Sequence, residues 1–170
     1  MSGEMRSTES ILKKYEPVSE NMLLILHDLQ NNHPQNYLKR EALDAVARYL
    51  NTTRSTVYGV VSYYSMFSLK PRGRHVIRLC ISPVCRLMGG VDMMDILKQI
   101  LGIREGESTP DGRFTLEPCE CLGQCDRAPV LMLDNDIYGN LTEDKLRTLI
   151  DGVEGHHERN ERNEPNRQNG

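Results

Sequence analysis

Apolar residues recur with helical spacing through the first third of the chain and with strand spacing beyond it. Met22, Ile25, Leu26 and Leu29 follow the i, i+3, i+4, i+7 rhythm of one helix face. Ser19 is the expected N-cap, and Pro34 the stop, since proline has no amide hydrogen to donate. Leu43, Val46, Ala47 and Leu50 predict a second helix over 39–50, and Thr53 is placed to cap a third whose stripe is Val57, Val60, Val61 and Tyr64. Three short helices with short links predict a small helical docking unit over 18–70. Ahead of it, residues 1–17 hold one apolar pair, Ile11-Leu12, and predict a flexible N-terminus with at most a loose helical turn.

After Pro71-Arg72-Gly73 the period falls to two. Ile77, Leu79 and Ile81 share one face and Val76, Arg78 and Cys80 the other, which predicts a strand over 75–81. Gly89-Gly90 opens a helix to Leu101 with Val91, Met94 and Leu97 on its stripe, so its methionines read as core packing rather than ligands. Pro110-Asp111-Gly112 signals a turn into a strand over 113–117. Val130 to Leu133 and Ile137 to Gly139 predict a hairpin around Asp134-Asn135, and Thr142 caps a last helix through Leu146 and Ile150. From Glu154 the chain carries no aliphatic or aromatic residue, so 154–170 predict a disordered polar tail in which His156-His157 are solvated. The expected architecture is an α/β domain over 74–153 preceded by the helical unit.

The chain has 170 residues, 38% hydrophobic and 26% charged, with a net charge of −3, which gives no reason to expect a nucleic-acid partner. A local basic run, Lys70, Arg72, Arg74, His75 and Arg78, reads either as a solvated linker and strand edge or as a docking patch for an acidic surface. No run approaches the ~18 apolar residues of a membrane span. The start, MSGEMRSTES, lacks the apolar core of a signal peptide. No direct membrane insertion and a cytoplasmic location are expected. Thiols stay reduced there, so clustered cysteines bind metal more readily than they form disulfides.

Strand, helix and strand over 75–118 make a βαβ unit, whose strands run parallel and end on one sheet edge. The first strand leads into Cys80 and Cys85, the second into Cys119, Cys121 and Cys125, so the topology brings the cysteine loops together. Four thiolates from C-x4-C and C-x3-C loops suit either tetrahedral zinc or an iron–sulfur cluster, and the spacing leaves both open. A stand-alone thiol–disulfide enzyme fits poorly, because it wants C-x-x-C at a helix start. The chain shows no G-x-G-x-x-G, no Walker loop and no Ser/His/Asp order, so no flavin or nicotinamide site is expected on it.

LCISPVC followed by ECLGQCDRAPVLMLDNDIYGNLT resembles the thioredoxin-like [2Fe–2S] subunit family of NADH:quinone oxidoreductase (complex I) and of related NAD-linked hydrogenases and formate dehydrogenases. The similarity extends through LLILHDLQ, VYGVVSYYSMF, KPRGRHVIRLC and LGIREGESTPDGRFTLE, roughly residues 20–150. It implies a thioredoxin-like ferredoxin domain with one [2Fe–2S] cluster on Cys80, Cys85, Cys121 and Cys125. Cys119 has no counterpart in the family pattern; it reads as a bystander, with replacement of Cys121 as the alternative. The implied role is a non-catalytic electron-transfer subunit of an NADH dehydrogenase-type oxidoreductase. Its partners would be a flavoprotein holding FMN and NAD(H), plus further iron–sulfur or catalytic subunits. The run GESTPDGRFTLEPCECLGQCDRAPV is most similar to the soluble hydrogenase and formate dehydrogenase type, with the complex I peripheral arm as the alternative and a zinc-stabilised interaction module as a more distant one. Such a cluster with its four thiolates carries a charge of about −2, rising to about −3 on reduction, and so needs hydrogen-bond donors around it. Gly89 and Gly90 would either let amides approach it or merely ease the turn. The thioredoxin fold also often places a cis proline where Ala128-Pro129 leads into the next strand.

Overall fold

The computed structural model describes residues 6–161, the last eight of them by backbone alone. The chain divides into two compact units. One takes the chain up to Val76 together with Gly106–Thr115; the other takes Ile77–Glu105 and the chain from Leu116 onward.

The first unit is built on helices α1 (Thr8–Leu12), α2 (Met22–Asn31), α3 (Arg40–Tyr49) and α4 (Arg54–Tyr63). Their apolar stripes meet in a core of Ile25, Leu26, Leu29, Leu43, Val46, Val57 and Val61. Ile11 and Leu12 belong to that core at 1% and 6% exposure, which corrects the expectation of a loose N-terminus. Burying a residue of that size stabilises by about 1.5–3 kcal/mol, enough to hold a short helix that would be marginal alone. Tyr49 Oη donates to the Tyr15 carbonyl, and Tyr15 Oη donates to Asp28 Oδ2 at 2.8 Å, fastening the segment after α1 to α2 and α3. Ser19 opens a 3₁₀ turn, Ser19–Asn21, and α2 begins after it without a side-chain cap. Thr53 does cap α4, accepting from the Thr56 amide at 3.1 Å.

Two buried polar side chains order the exit from this helical unit. Gln30 donates to the Met66 carbonyl at 2.9 Å and accepts from the Ser68 amide at 2.8 Å. Arg72 is buried and donates through Nη1 to Met66 O at 3.1 Å. Lys70 and Arg74 are exposed. The basic run is therefore divided between solvent and structural duties rather than gathered into one charged patch.

The sheet has strands β1 (His75–Cys80), β2 (Phe114–Cys119), β3 (Leu131–Leu133) and β4 (Asp136–Tyr138), in the order β2-β1-β3-β4. The His75 amide donates to Arg113 O, and the Ile81 amide, six residues on, donates to Cys119 O, six residues on. β1 and β2 thus run parallel, as the βαβ pattern predicts. β1 pairs antiparallel with β3, Ile77 opposite Leu133, and β3 turns into β4 through Asp134-Asn135 with Asp134 left-handed at φ 54°. Val76, Ile77, Leu79 and Cys80 are all buried, so β1 is covered on both faces and the expected two-sided alternation is lost. Arg78, half-buried, pairs with Glu117 of β2 at 3.2 Å.

Helical structure after β1 starts earlier than Gly89-Gly90. A single turn α5 (Pro83–Cys85) leads through a widened π-type turn, Arg86–Gly90, into α6 (Val91–Leu101). Proline is compatible with the first helical position because its missing amide hydrogen has no helical partner to lose. Helix α7 (Glu143–Glu161) starts at Thr142, whose Oγ1 accepts from the Lys145 amide at 3.3 Å, and its buried Leu146 and Ile150 join Ile77, Leu79, Leu97, Leu116 and Leu131 in the second unit's interior. α7 continues through 154–161, where composition predicts disorder; Glu and Arg are good helix formers, and extending a nucleated helix costs little. The side chains of His156-His157 and the whole of 1–5 and 162–170 lie outside the described residues. Among the described residues no helix is long and apolar enough to cross a membrane. The mixed α/β architecture is the one the sequence pattern predicts.

Candidate metal centre

Cys80 ends β1, Cys85 ends α5 and Cys119 ends β2, with Cys121 and Cys125 in the loop that follows. Parallel strands end on one edge, and there the two loops meet: the Cys80 amide donates to Val130 O at 3.0 Å, and the Ile81 amide to Cys119 O at 3.0 Å. The thiols sort into two pairs. Cys80 and Cys85 are buried, and each acts on the other's acidity. Cys121 and Cys125 are exposed, with their sulfurs 3.4 Å apart. The pairs feel each other's charge, Cys125 acting on Cys85 and Cys80 on Cys125.

Backbone N–H groups act on these sulfurs. The Ser82 and Leu122 amides act to lower the Cys80 thiol. The Val130 amide acts to lower the Cys85 thiol, and Cys121 Sγ accepts from the Gly123 amide at 3.4 Å. Their effect is visible in the thiol acidities. Burial works to raise the Cys80 thiol, yet the Ser82 amide, Cys85 and the Leu122 amide together hold it below the usual thiol range. Burial and the neighbouring Cys80 push Cys85 up to about 11. The Cys121 bond, then its charge, raises Cys125.

Cys119 is different. Burial, reinforced by the charge of Cys80, pushes it up to about 12, and it packs beside Cys80, Cys85, Ala128 and Val130. Its thiol is held protonated somewhat more firmly than that of Cys85.

Glycine shapes the first loop in two ways. Gly89 sits at φ 94°, where a side chain is strained. Gly90 is buried, and a β-carbon there would stand 2.7 Å from Cys85 O. The pair thus serves the turn, Gly89 through its conformation and Gly90 through its close packing on the Cys85 backbone. In the second loop Ala128-Pro129 is cis, and Gly123 takes φ 75°.

Among the described residues no three His, Cys, Asp or Glu side chains gather tightly enough to hold one metal ion. The thiols stand two and two, with the Gly123 amide directed at Cys121 Sγ. That donor set suits a binuclear centre, in which each metal takes two thiolates and the whole carries negative charge. Sequence reasoning named every cysteine but missed Ser82 and the Leu122 and Val130 amides. Ser-Pro ahead of a helical turn reads as an N-cap, and an amide leaves no trace in a sequence.

A model of the family described as thioredoxin-like [2Fe-2S] ferredoxin matches residues 8–154. The chain is 40% identical over 129 residues to a subunit of the NADH-quinone oxidoreductase of Aquifex aeolicus, covering 76% of this chain and 79% of that protein. It is 40% identical over 144 residues to the subunit of the same name from Rickettsia felis, covering 84% and 86%. In structure it is similar to the NAD+-reducing [NiFe]-hydrogenase in the air-oxidized state, with a TM-score of 0.71 at 20% identity over 83% of this chain. It spans 24% of that hydrogenase chain, and the likeness is one of fold.

Proposed function

The chain belongs to the thioredoxin-like [2Fe–2S] ferredoxin family, and from that membership we propose that it is the [2Fe–2S] electron-transfer subunit of an NADH:quinone oxidoreductase, its cluster held by Cys80, Cys85, Cys121 and Cys125. Family membership implies one [2Fe–2S] cluster; the assignment of ligands rests on the two thiol pairs that the parallel strands β1 and β2 bring together. Cys119 is left as a bystander, since it stands outside the Cys121–Cys125 pair and has no counterpart in the family pattern.

Relatives at 40% identity, both named as subunits of NADH-quinone oxidoreductase, favour the quinone-reductase host over the hydrogenase or formate dehydrogenase host expected from the 106–130 run. The hydrogenase likeness supports the fold but carries no preference of host.

A bound [2Fe–2S] cluster supplies one reversible one-electron exchange. The protein's part is to hold and insulate it. Cys80 and Cys85, each 1% exposed, keep water from one side, and the amides of Ser82, Leu122, Val130 and Gly123 offset the negative charge on sulfur. No side chain here performs bond chemistry. FMN and NAD(H) belong on a flavoprotein partner, and the location is the cytoplasmic face where that complex works.

Two exposed apolar sets support partner contact. Val84, Leu87, Met88 and Val91 flank Cys85, Leu87 at 87% exposure; Tyr58, Tyr63 and Met66 stand out from the helical unit. The deciding experiment is anaerobic purification of the native complex. About two irons and two sulfides per chain, a rhombic paramagnetic signal after one-electron reduction, and an FMN-bearing partner with quinone-reducing subunits are expected. A colourless zinc protein would overturn the reading, and a hydrogenase partner would overturn its choice of host.

A further inference from the structure

Helices α3 and α4 line an open groove of about 530 Å³ that lies wholly within the first unit. Its lining is mainly apolar: the buried Leu38 and Leu43, the half-buried Leu69, and Tyr58 at 51% exposure. The charged side chains on it are two exposed cations, Arg40 and Arg54, and no acidic side chain lines it. Arg54 is already engaged, donating through Nη2 to Asp44 at 2.6 Å, whereas Arg40 opens α3 on the exposed side.

Gly59, in the middle of α4, also lines the groove. Glycine inside a helix is less stable than alanine, because its backbone loses more freedom on folding. Here a β-carbon would meet nothing within 4 Å, and φ is not in the left-handed region. The chain's own packing therefore gives no reason for the missing side chain. What the glycine supplies is bare helix backbone on the groove, against which a second polypeptide can lie closely.

We propose that this groove docks an acidic segment of a neighbouring subunit of the redox complex: an apolar side chain of that segment packs over Gly59, against Tyr58 and the leucines, and a carboxylate beside it pairs with Arg40. The inference rests on the reading of the chain as a subunit of such a complex. Charge selects the occupant, because a lining with cations and no anion attracts carboxylates and repels a basic segment. Tyrosine and arginine are also the residue types that most often anchor protein interfaces, and both stand here beside an apolar recess.

The test uses the whole complex purified on a tagged chain, with iron content and urea midpoint as controls. Gly59→Leu fills the groove and Arg40→Glu reverses its charge. Each is expected to keep the native iron content and midpoint while recovery of the neighbouring subunit falls several-fold, as it does when an interface anchor is lost. Arg40→Lys keeps the charge and should keep the recovery. It also places an amine at position 40, which a carbodiimide joins to a carboxylate in contact. Peptide mapping by mass spectrometry is expected to find that amide on an Asp or Glu of another subunit. Should Gly59→Leu lower the midpoint, Arg40→Glu and the cross-link decide alone. Undiminished recovery with Arg40→Glu, or with a normally folded Gly59→Leu, overturns the proposal. So does an amide that forms only within this chain or with a second copy of it, or no amide at position 40 at all. A native complex that yields no co-purifying subunit would instead refute the function from which the inference starts.

Discussion

Gly90 lies so close to Cys85 that a β-carbon on it would stand 2.7 Å from the Cys85 carbonyl oxygen and 3.0 Å from its carbonyl carbon. Backbone atoms cannot swing aside as a flexible side chain can. Gly90→Ala should therefore displace the turn that carries Cys85, costing about 1–3 kcal/mol. The measurable outcome is a lower urea midpoint and less iron bound per chain. Gly59→Ala is the matched control, because a β-carbon there meets nothing within 4 Å and helix propensity favours alanine by about 1 kcal/mol.

Serine in place of Cys80, Cys85, Cys121 or Cys125 should each abolish or sharply alter the cluster's visible absorption. Cys119→Ser should leave absorbance and iron content unchanged, since that thiol stands outside the Cys121–Cys125 pair and has no counterpart in the family pattern. A colourless Cys119→Ser protein beside a normally coloured Cys121→Ser one would reverse the assignment.

How much of this was legible in advance differs from residue to residue. The three helical stripes, the hairpin at Asp134-Asn135 and the parallel pairing of β1 with β2 follow from hydrophobic period and turn chemistry. Ile11 and Leu12 were hidden because two apolar residues carry no period; their burial depends on helices far along the chain. Arg72 was hidden for the same kind of reason. Its charge reads as surface, and the carbonyls of Ser65, Met66 and Phe67, just past α4, make an interior place for it. At the candidate centre the cysteines are visible in the sequence and their pairing is visible only in space.

Leu87, at 87% exposure within two residues of Cys85, has no packing role in the isolated chain. Leu87→Asp should leave the cluster's absorption and the urea midpoint unchanged, within about 0.5 kcal/mol. Loss of an apolar anchor at a partner interface commonly costs more than 1 kcal/mol. Recovery of the flavoprotein on a tagged chain is accordingly expected to fall several-fold. Undiminished recovery would remove this loop from the interface.

The Tyr15–Asp28 pair gives the first unit a dependence on pH that can be worked out by sign. The Tyr15 hydroxyl bond lowers the Asp28 carboxyl, against a smaller opposing effect of burial and with help from Lys14. A carboxylate lowered on folding stabilises above its unfolded value of about 4 and loses that contribution as pH falls through the lower folded value. The same contact raises the Tyr15 phenol, chiefly through the Asp28 bond, so its contribution is full below about 10 and fades as pH rises past it. Asp28 is 40% exposed at its side chain, so solvent limits the acid-side effect to at most about 1 kcal/mol. Tyr15→Phe should therefore flatten the urea midpoint between about pH 5 and pH 2 and leave the slope at neutral pH untouched. Equal acid sensitivity in the native and Tyr15→Phe chains would show that the hydrogen bond adds nothing to the fold.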